Sequence, residues 1–302
     1  MRILITGSTG LIGNALVKTL RSRGEEVLRL VRSGATGGDT IGWAPERGFI
    51  EGERLEGLDA VVHLAGENVA AHRWTVPVRR RILESRTQGT SLLAETLARL
   101  QQRPKVLISA SAVGYYGNQG ATVVDERAAP GDTFLSQVCV AWESAADAAR
   151  AAGIRVVHPR FGVVLSGSGG ALGRMLPVFR AGLGGRLGNG GAWMSWITLR
   201  DAVLALEMCL RDQEMSGPVN IVSPNPVTNA EFTQALAHAL RRPAVLPVPG
   251  FIIRTLFGDM GRELLLASIR AKPARLGERG FHFFDPDLGA ALDFVTKDDF
   301  MA

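Results

Sequence analysis

The first twenty residues constrain this chain most. Ile3-Leu4-Ile5-Thr6 is a short apolar run, Gly7-Ser8-Thr9-Gly10-Leu11-Ile12-Gly13 follows at once, and a helical period then sets in. Leu11, Ala15, Leu16 and Leu20 fall close to one helix face. Strand, glycine turn and helix in this order make a phosphate-binding turn, because a helix N-terminus presents unpaired N–H groups and a positive dipole. Gly7 permits the tight exit from the strand, Gly10 lets the backbone approach a pyrophosphate, and Gly13 brings helix close to sheet. The spacing is GxxGxxG where the ordinary dinucleotide fingerprint has GxGxxG. A purely structural strand–helix turn is the competing reading.

The same alternation continues. Strands are expected at Val27–Val31, Ala60–Leu64, Lys105–Ser109 and Arg155–His158, with helices at Leu11–Arg23, within Val78–Leu100 and at Cys139–Ala152. Near-continuous apolar strands between helices predict an α/β fold, a doubly wound parallel Rossmann-type sheet covered on both faces. Gly182–Gly191 interrupts the alternation, and prolines punctuate the last third. Residues 1–225 read as the NADP-binding domain and 226–302 as a small C-terminal substrate lobe, to which 166–192 contribute. Phe281–Pro286 reads as a short strand stopping at a turn.

An NAD site usually places an acid about 20 residues past the glycine turn to hold the ribose 2′-OH. Here that region is Val31-Arg32, and the nearest acid downstream is Asp39. The guanidinium fork of Arg32 suits a 2′-phosphate, so NADP(H) is the expected cofactor. An ordinary exposed arginine is the alternative.

With these residues in hand, the chain resembles the extended short-chain dehydrogenases/reductases, the NAD-dependent epimerase/dehydratase enzymes. The likeness rests on Thr6–Gly13, His63-Leu64-Ala65-Gly66, Gln88-Gly89-Thr90, Ser109-Ala110-Ser111, Arg160, Trp196–Asp201 and Val219-Asn220-Ile221. More narrowly, Ala65–Asn68, Ser85-Arg86, Ser111–Gly117, Trp193–Ile197 and the tail Pro273–Leu292 are similar to a subgroup called epimerase family proteins, some labelled cell-division-inhibitor-like or plastid-division-factor-like. The resemblance implies a Tyr-x-x-x-Lys pair with an upstream Ser and a supporting Asn. Register on Trp142-Glu143 puts the lysine position at Cys139 and the tyrosine position at Leu135, while the Asn position falls at Arg86. Only Ser111 survives. A leucine cannot transfer a proton, and a cysteine carries no fixed positive charge.

Replacements are sought on the same rim, outside the carboxyl ends of the strands. Ser111, Tyr115 and Tyr116 are the candidate catalytic residues, the two tyrosines being the chain's only ones. Packing or substrate contact competes with proton transfer for both. Leu64, Ala65, Gly66, Arg86, Ser109 and Val164 join the glycine turn and Arg32 as cofactor-binding candidates. Glu67 is a minor acid/base candidate, and His63 and His158 read as core histidines.

The remaining expectations come from composition. Two cysteines and no His/Cys/Asp/Glu cluster at ligand spacing predict no metal. Charged residues make 21% and hydrophobic ones 46%, with net charge +5. That excludes disorder, and no basic stripe interleaved with aromatics points to nucleic acid. Apolar runs are too short to span a bilayer, and the N-terminal run is too short for a signal peptide, so no membrane partner and a cytoplasmic setting are expected. An unidentified small-molecule substrate is the expected partner. The family's pairing through two long helices would make a homodimer.

Overall fold

The computed structural model describes residues 1–32 and 37–297. Its central sheet is built from β1 (Arg2–Thr6), β2 (Glu26–Val31), β3 (Thr40–Ala44), β4 (Phe49–Ile50), β5 (Ala60–His63), β6 (Val106–Ser109) and β7 (Ser111–Ala112). Two later strands complete it, Arg155–Phe161 and Gly217–Ile221. The spatial order is Gly217–Ile221, Arg155–Phe161, β6, β5, β1, β2, β3, β4, and only the β3–β4 pair is antiparallel. The chain winds one way from β1 to β2 and the other way through β5, so a switch point lies at the carboxyl ends of β1 and β5, where α/β sheets take their ligands.

Alternation of side chains along each strand sorts the core into two layers. Ile3 and Ile5 of β1, Val62 of β5 and Ile108 of β6 pack on one face, under α1 (Leu11–Ser22) and the helix Leu199–Arg211. Leu4, Val61 and Leu107 face the other way, under α2 (Val76–Arg99). The expected helix at Cys139–Ala152 is instead two, α3 (Phe134–Ser144) and α4 (Asp147–Ala151). The break lets Ala146 and Ala149 turn into the second layer beside Leu93 and Leu97.

The last third is less separate than its proline content suggests. Leu276, Phe281 and Phe283 return to pack against the first core layer. Phe281–Pro286 is not a sheet strand: the buried Asp201 carboxylate accepts the N–H groups of Phe284 (3.0 Å) and Asp285 (2.9 Å). A smaller cluster of Leu172, Leu176, Trp196, Phe232, Leu236 and Leu292 forms the heart of the lobe. No described helix is long and apolar enough to cross a membrane.

Candidate functional site

The glycine turn has the shape its spacing predicts. Gly7 has φ +64°, and a Cβ there would lie 2.8 Å from the carbonyl carbon of Leu64. A Cβ on Gly13 would lie 2.2 Å from the carbonyl oxygen of Gly7. The glycine turn is therefore pressed against the 64–65 turn, and α1 against the glycine turn, as only glycine allows. Gly10 is the N-cap of α1, no side chain caps that end, and no acid stands in its first turn. The N–H groups of Leu11 and Ile12 are thus left to an external acceptor, which fits a pyrophosphate. Thr9 and Gly10 are exposed beside them, and Ser8 is buried.

Arg32 lies exposed at the carboxyl end of β2, with no ion-pair partner among the described residues. Asp39 is not free to bind a ribose. Hydrogen bonds from Arg29 (3.1 Å) and Arg21 (2.5 Å) hold its carboxyl below the usual range.

Beneath the turn runs a closed chain of hydrogen bonds. Thr90 Oγ1 donates to the carbonyl of Arg86 (2.6 Å), leaving its lone pairs for Trp142 Nε1–H (3.0 Å) and His63 Nε2 (3.0 Å). Burial pushes His63 down to about 4, so the ring is neutral, and the Nε2–H tautomer is assigned by elimination. Its Nδ1 then accepts from Thr6 Oγ1 (2.7 Å), which in turn accepts the N–H groups of Leu64 and Ala65 (both 3.1 Å). His63 is a structural histidine that fixes the backbone beneath the glycine turn.

Arg86 lies where the resemblance puts the supporting Asn. Its guanidinium donates to the carbonyls of Ile82 and Glu67 (both 3.0 Å), stacks 4.9 Å over Trp142, and lies against Gly66. It has no carboxylate partner among the described residues, and burial lowers its affinity for a proton. Cys139, one turn before Trp142, is buried and its thiol is pushed up to about 11, chiefly by burial. Arg86, on α2, thus brings a cation to the α3 face that has lost its lysine.

The candidate proton donors are held differently from expectation. Ser111 Oγ donates to Glu143 (2.7 Å), which is bidentate to Arg160 at 2.8 and 2.9 Å. Arg160 also donates to the Tyr116 hydroxyl (3.1 Å), and that hydroxyl donates to Asn220 Oδ1 (2.7 Å). Burial opposes the charge of Arg160, but its contacts with Glu143 and Tyr116 outweigh this and hold its proton tightly. Tyr116 is fully buried, and burial pushes it up to about 12. An enclosed phenol with its proton already donated favours packing over proton transfer, the two roles weighed for Tyr116. Ser111, 2% exposed, is enclosed in the same way. Tyr115 is half-buried, its ring centroid 3.4 Å from the Arg160 guanidinium carbon, and its hydroxyl bonds to no described side chain.

The other candidates are scattered around this site. Ser109 is buried, with no partner for its hydroxyl oxygen among the described residues. Val164 sits in the strand Val163–Ser166, paired with Ile197 rather than with the main sheet. Glu67 pairs with Arg81 (3.4 Å), and His158 is buried between Ser109 and Arg150. Two buried polar groups near this site escape sequence reading. Asn220 lies 104 positions from the tyrosine it binds. Glu263, in the π-turn Gly261–Leu265, accepts the N–H groups of Phe134 (3.3 Å) and Leu135 (2.9 Å) at the N-terminus of α3. Thr133 before Phe134 is a readable N-cap signal for α3, whereas nothing near Glu263 announces its partner.

The chain is similar to known proteins along nearly its whole length. Residues 3–222 match the profile of the NAD dependent epimerase/dehydratase family, and residues 248–295 match DUF1731, a domain of unknown function. An epimerase family protein of Mycobacterium bovis is 45% identical over 97% of either chain. YfhF of Bacillus subtilis is 34% identical over 99% of either chain. The crystal structure of human epimerase family protein SDR39U1 with NADPH superposes with a TM-score of 0.90 at 36% identity, covering 99% of this chain and 100% of that one.

Proposed function

This chain belongs to the NAD dependent epimerase/dehydratase family, and from that premise we propose that it binds NADP(H) without the family's tyrosine–lysine proton relay. The cradle, the unpartnered Arg32 and the NADPH in the human relative's crystal support the first half. One observation carries the second: the hydroxyl protons of Tyr116 and Ser111 are committed inside the protein, while Leu135 and Cys139 stand at the relay positions. When bound, the cofactor supplies a hydride donor or acceptor. The chain's own part is to hold the pyrophosphate at the N-terminus of α1, the 2′-phosphate at Arg32 and the ribose side near Arg86. On this reading the protein is a reductant-binding sensor or partner protein.

Thermal denaturation with NADPH and with NADH tests it. A ligand at 100 times its dissociation constant adds about 2.7 kcal/mol. NADPH is expected to stabilise the wild type, Arg32→Ala to lose most of that gain, and NADH to do little in either. No stabilisation by either nucleotide defeats the proposal.

A second reading is favoured by Tyr115, whose unbonded hydroxyl and stacked arginine suit a proton donor for an oxidoreductase acting on an unidentified carbonyl compound. Oxidation of NADPH by any member of a carbonyl panel, lost in Tyr115→Phe, would replace the first reading with the second.

A further inference from the structure

The C-terminal lobe carries a surface that neither the cradle nor the tyrosine network uses. Segment 183–188 runs beside 245–248, tied by Leu246 N–H to the carbonyl of Gly184 (3.2 Å) and Val248 N–H to that of Arg186 (2.9 Å). Pro243 lies against Gly182, and Pro249 leads directly into the helix Gly250–Met260. On this continuous stretch Val245 is 74% exposed, Phe251 69%, Leu256 60% and Leu183 59%. Of the thirteen exposed large apolar side chains among the described residues, seven lie between Val178 and Phe257. A soluble surface scatters such residues singly, and their concentration marks a place that something covers.

The unpaired charges around them have one sign. Arg180, Arg186, Arg241, Arg242 and Arg254 are exposed and have no ion-pair partner among the described residues. Arg127 and Arg279, exposed elsewhere, are paired with Glu278 and Asp212, whereas Arg32, Arg47 and Arg73 stand singly without an ion-pair partner among the described residues. No Asp or Glu occurs from Gly167 to Arg200 or from Phe232 to Gly258. Asp293, in the hollow beside Arg241 and Arg242, is paired with Lys297.

The occupant must accept apolar side chains and arginines together. A second copy fails, because a two-fold contact would set these arginines against themselves with no acid to relieve them. Side chains standing two-thirds exposed project outward, which suits a soft interface better than a shaped protein pocket. We propose that this face docks on an anionic lipid surface, with Val245, Leu246 and Phe251 at headgroup depth and the arginines on the phosphates. A peripheral surface needs no long apolar run, so such a face is compatible with described helices too short or polar to span a bilayer.

Co-sedimentation of the full chain tests the proposal, using phosphatidylglycerol–phosphatidylcholine vesicles beside phosphatidylcholine alone. Binding is expected to the mixed vesicles only, and to weaken as salt is added. Replacing two basic residues, as in the Arg241→Glu, Arg242→Glu double variant, should weaken it roughly thirtyfold or more. Phe251→Asp should weaken it at every salt concentration, with circular dichroism confirming the fold of each variant. No binding to the mixed vesicles, equal binding to phosphatidylcholine, or binding indifferent to these substitutions overturns the proposal. So does a solution dimer that Leu246→Asp disperses.

Discussion

The glycine turn and the Ser111–Tyr116 region sit on the same rim of one sheet, yet they treat their polar groups in opposite ways. At the turn, the N-terminus of α1 has neither a side-chain cap nor an acid in its first turn, and Arg32 has no described partner. Around Ser111, three donors are spent inside, Ser111 on Glu143, Arg160 on Glu143 and Tyr116, and Tyr116 on Asn220, while the Tyr115 hydroxyl bonds to no described side chain. Unsatisfied groups at a surface are an invitation to a ligand, whereas a satisfied buried network is a structural member. Family membership makes both regions look like site. Their hydrogen bonding sets them apart, one leaving its polar groups open and the other closing them on one another.

The largest expected effect tests the second region as a structural member. Glu143→Gln leaves the buried Arg160 charge without its counter-charge, and breaking such a pair should cost about 3–5 kcal/mol in urea denaturation. A loss below about 1 kcal/mol would mean that the pair opens readily and that Ser111 is available after all.

His63 gives the next effect. Its folded pKa of about 4 lies below the ordinary 6.5, so the unfolded chain binds more protons between those values. Its contribution is complete above pH 6.5 and is lost as pH falls toward 4, about 3 kcal/mol in all. Buried Asp201 and Glu126 shift upward, mainly from burial, and act in the opposite sense. The wild type should therefore lose this amount relative to His63→Gln across the window, and parallel curves for the two proteins would refute the assignment.

Gly13→Val then breaks the first region. With no room for a Cβ beside the Gly7 carbonyl, NADPH affinity in a fluorescence titration should fall on the order of a hundredfold. Retained affinity would place the cofactor elsewhere. The smallest effect sharpens the contrast. Tyr116→Phe should cost about 1–2 kcal/mol of stability by stranding Asn220 Oδ1 and leave NADPH binding unchanged.

Much of the first region is legible in the sequence because it is local. Strand, glycines and helix are contiguous from Ile3 to Leu20, and Arg32 follows at a fixed distance. The second region is assembled from Ser111, Tyr116, Glu143, Arg160 and Asn220, which only the sheet brings together. Sequence position showed that Tyr116 lies near the strand ends but not that its hydroxyl turns inward. The helix break at Ala145–Ala146 was equally hidden, since the alanines around it continue a helical pattern without punctuation. The exposed arginines of the lobe illustrate the reverse problem, for their number is plain while their lack of partners is a fact of folding.

The Thr90–His63–Thr6 chain has a polarity. Each hydroxyl has one proton to give, so the choice made by Thr90 dictates the tautomer of His63 and then the rotor of Thr6. A direction set on α2 reaches the backbone amides of Leu64 and Ala65 without any atom having to move. These three residues, with Trp142 as a terminal donor, therefore form a single unit of inheritance: one exchanged alone strands its neighbours, and a successful replacement must rewrite the whole sentence at once.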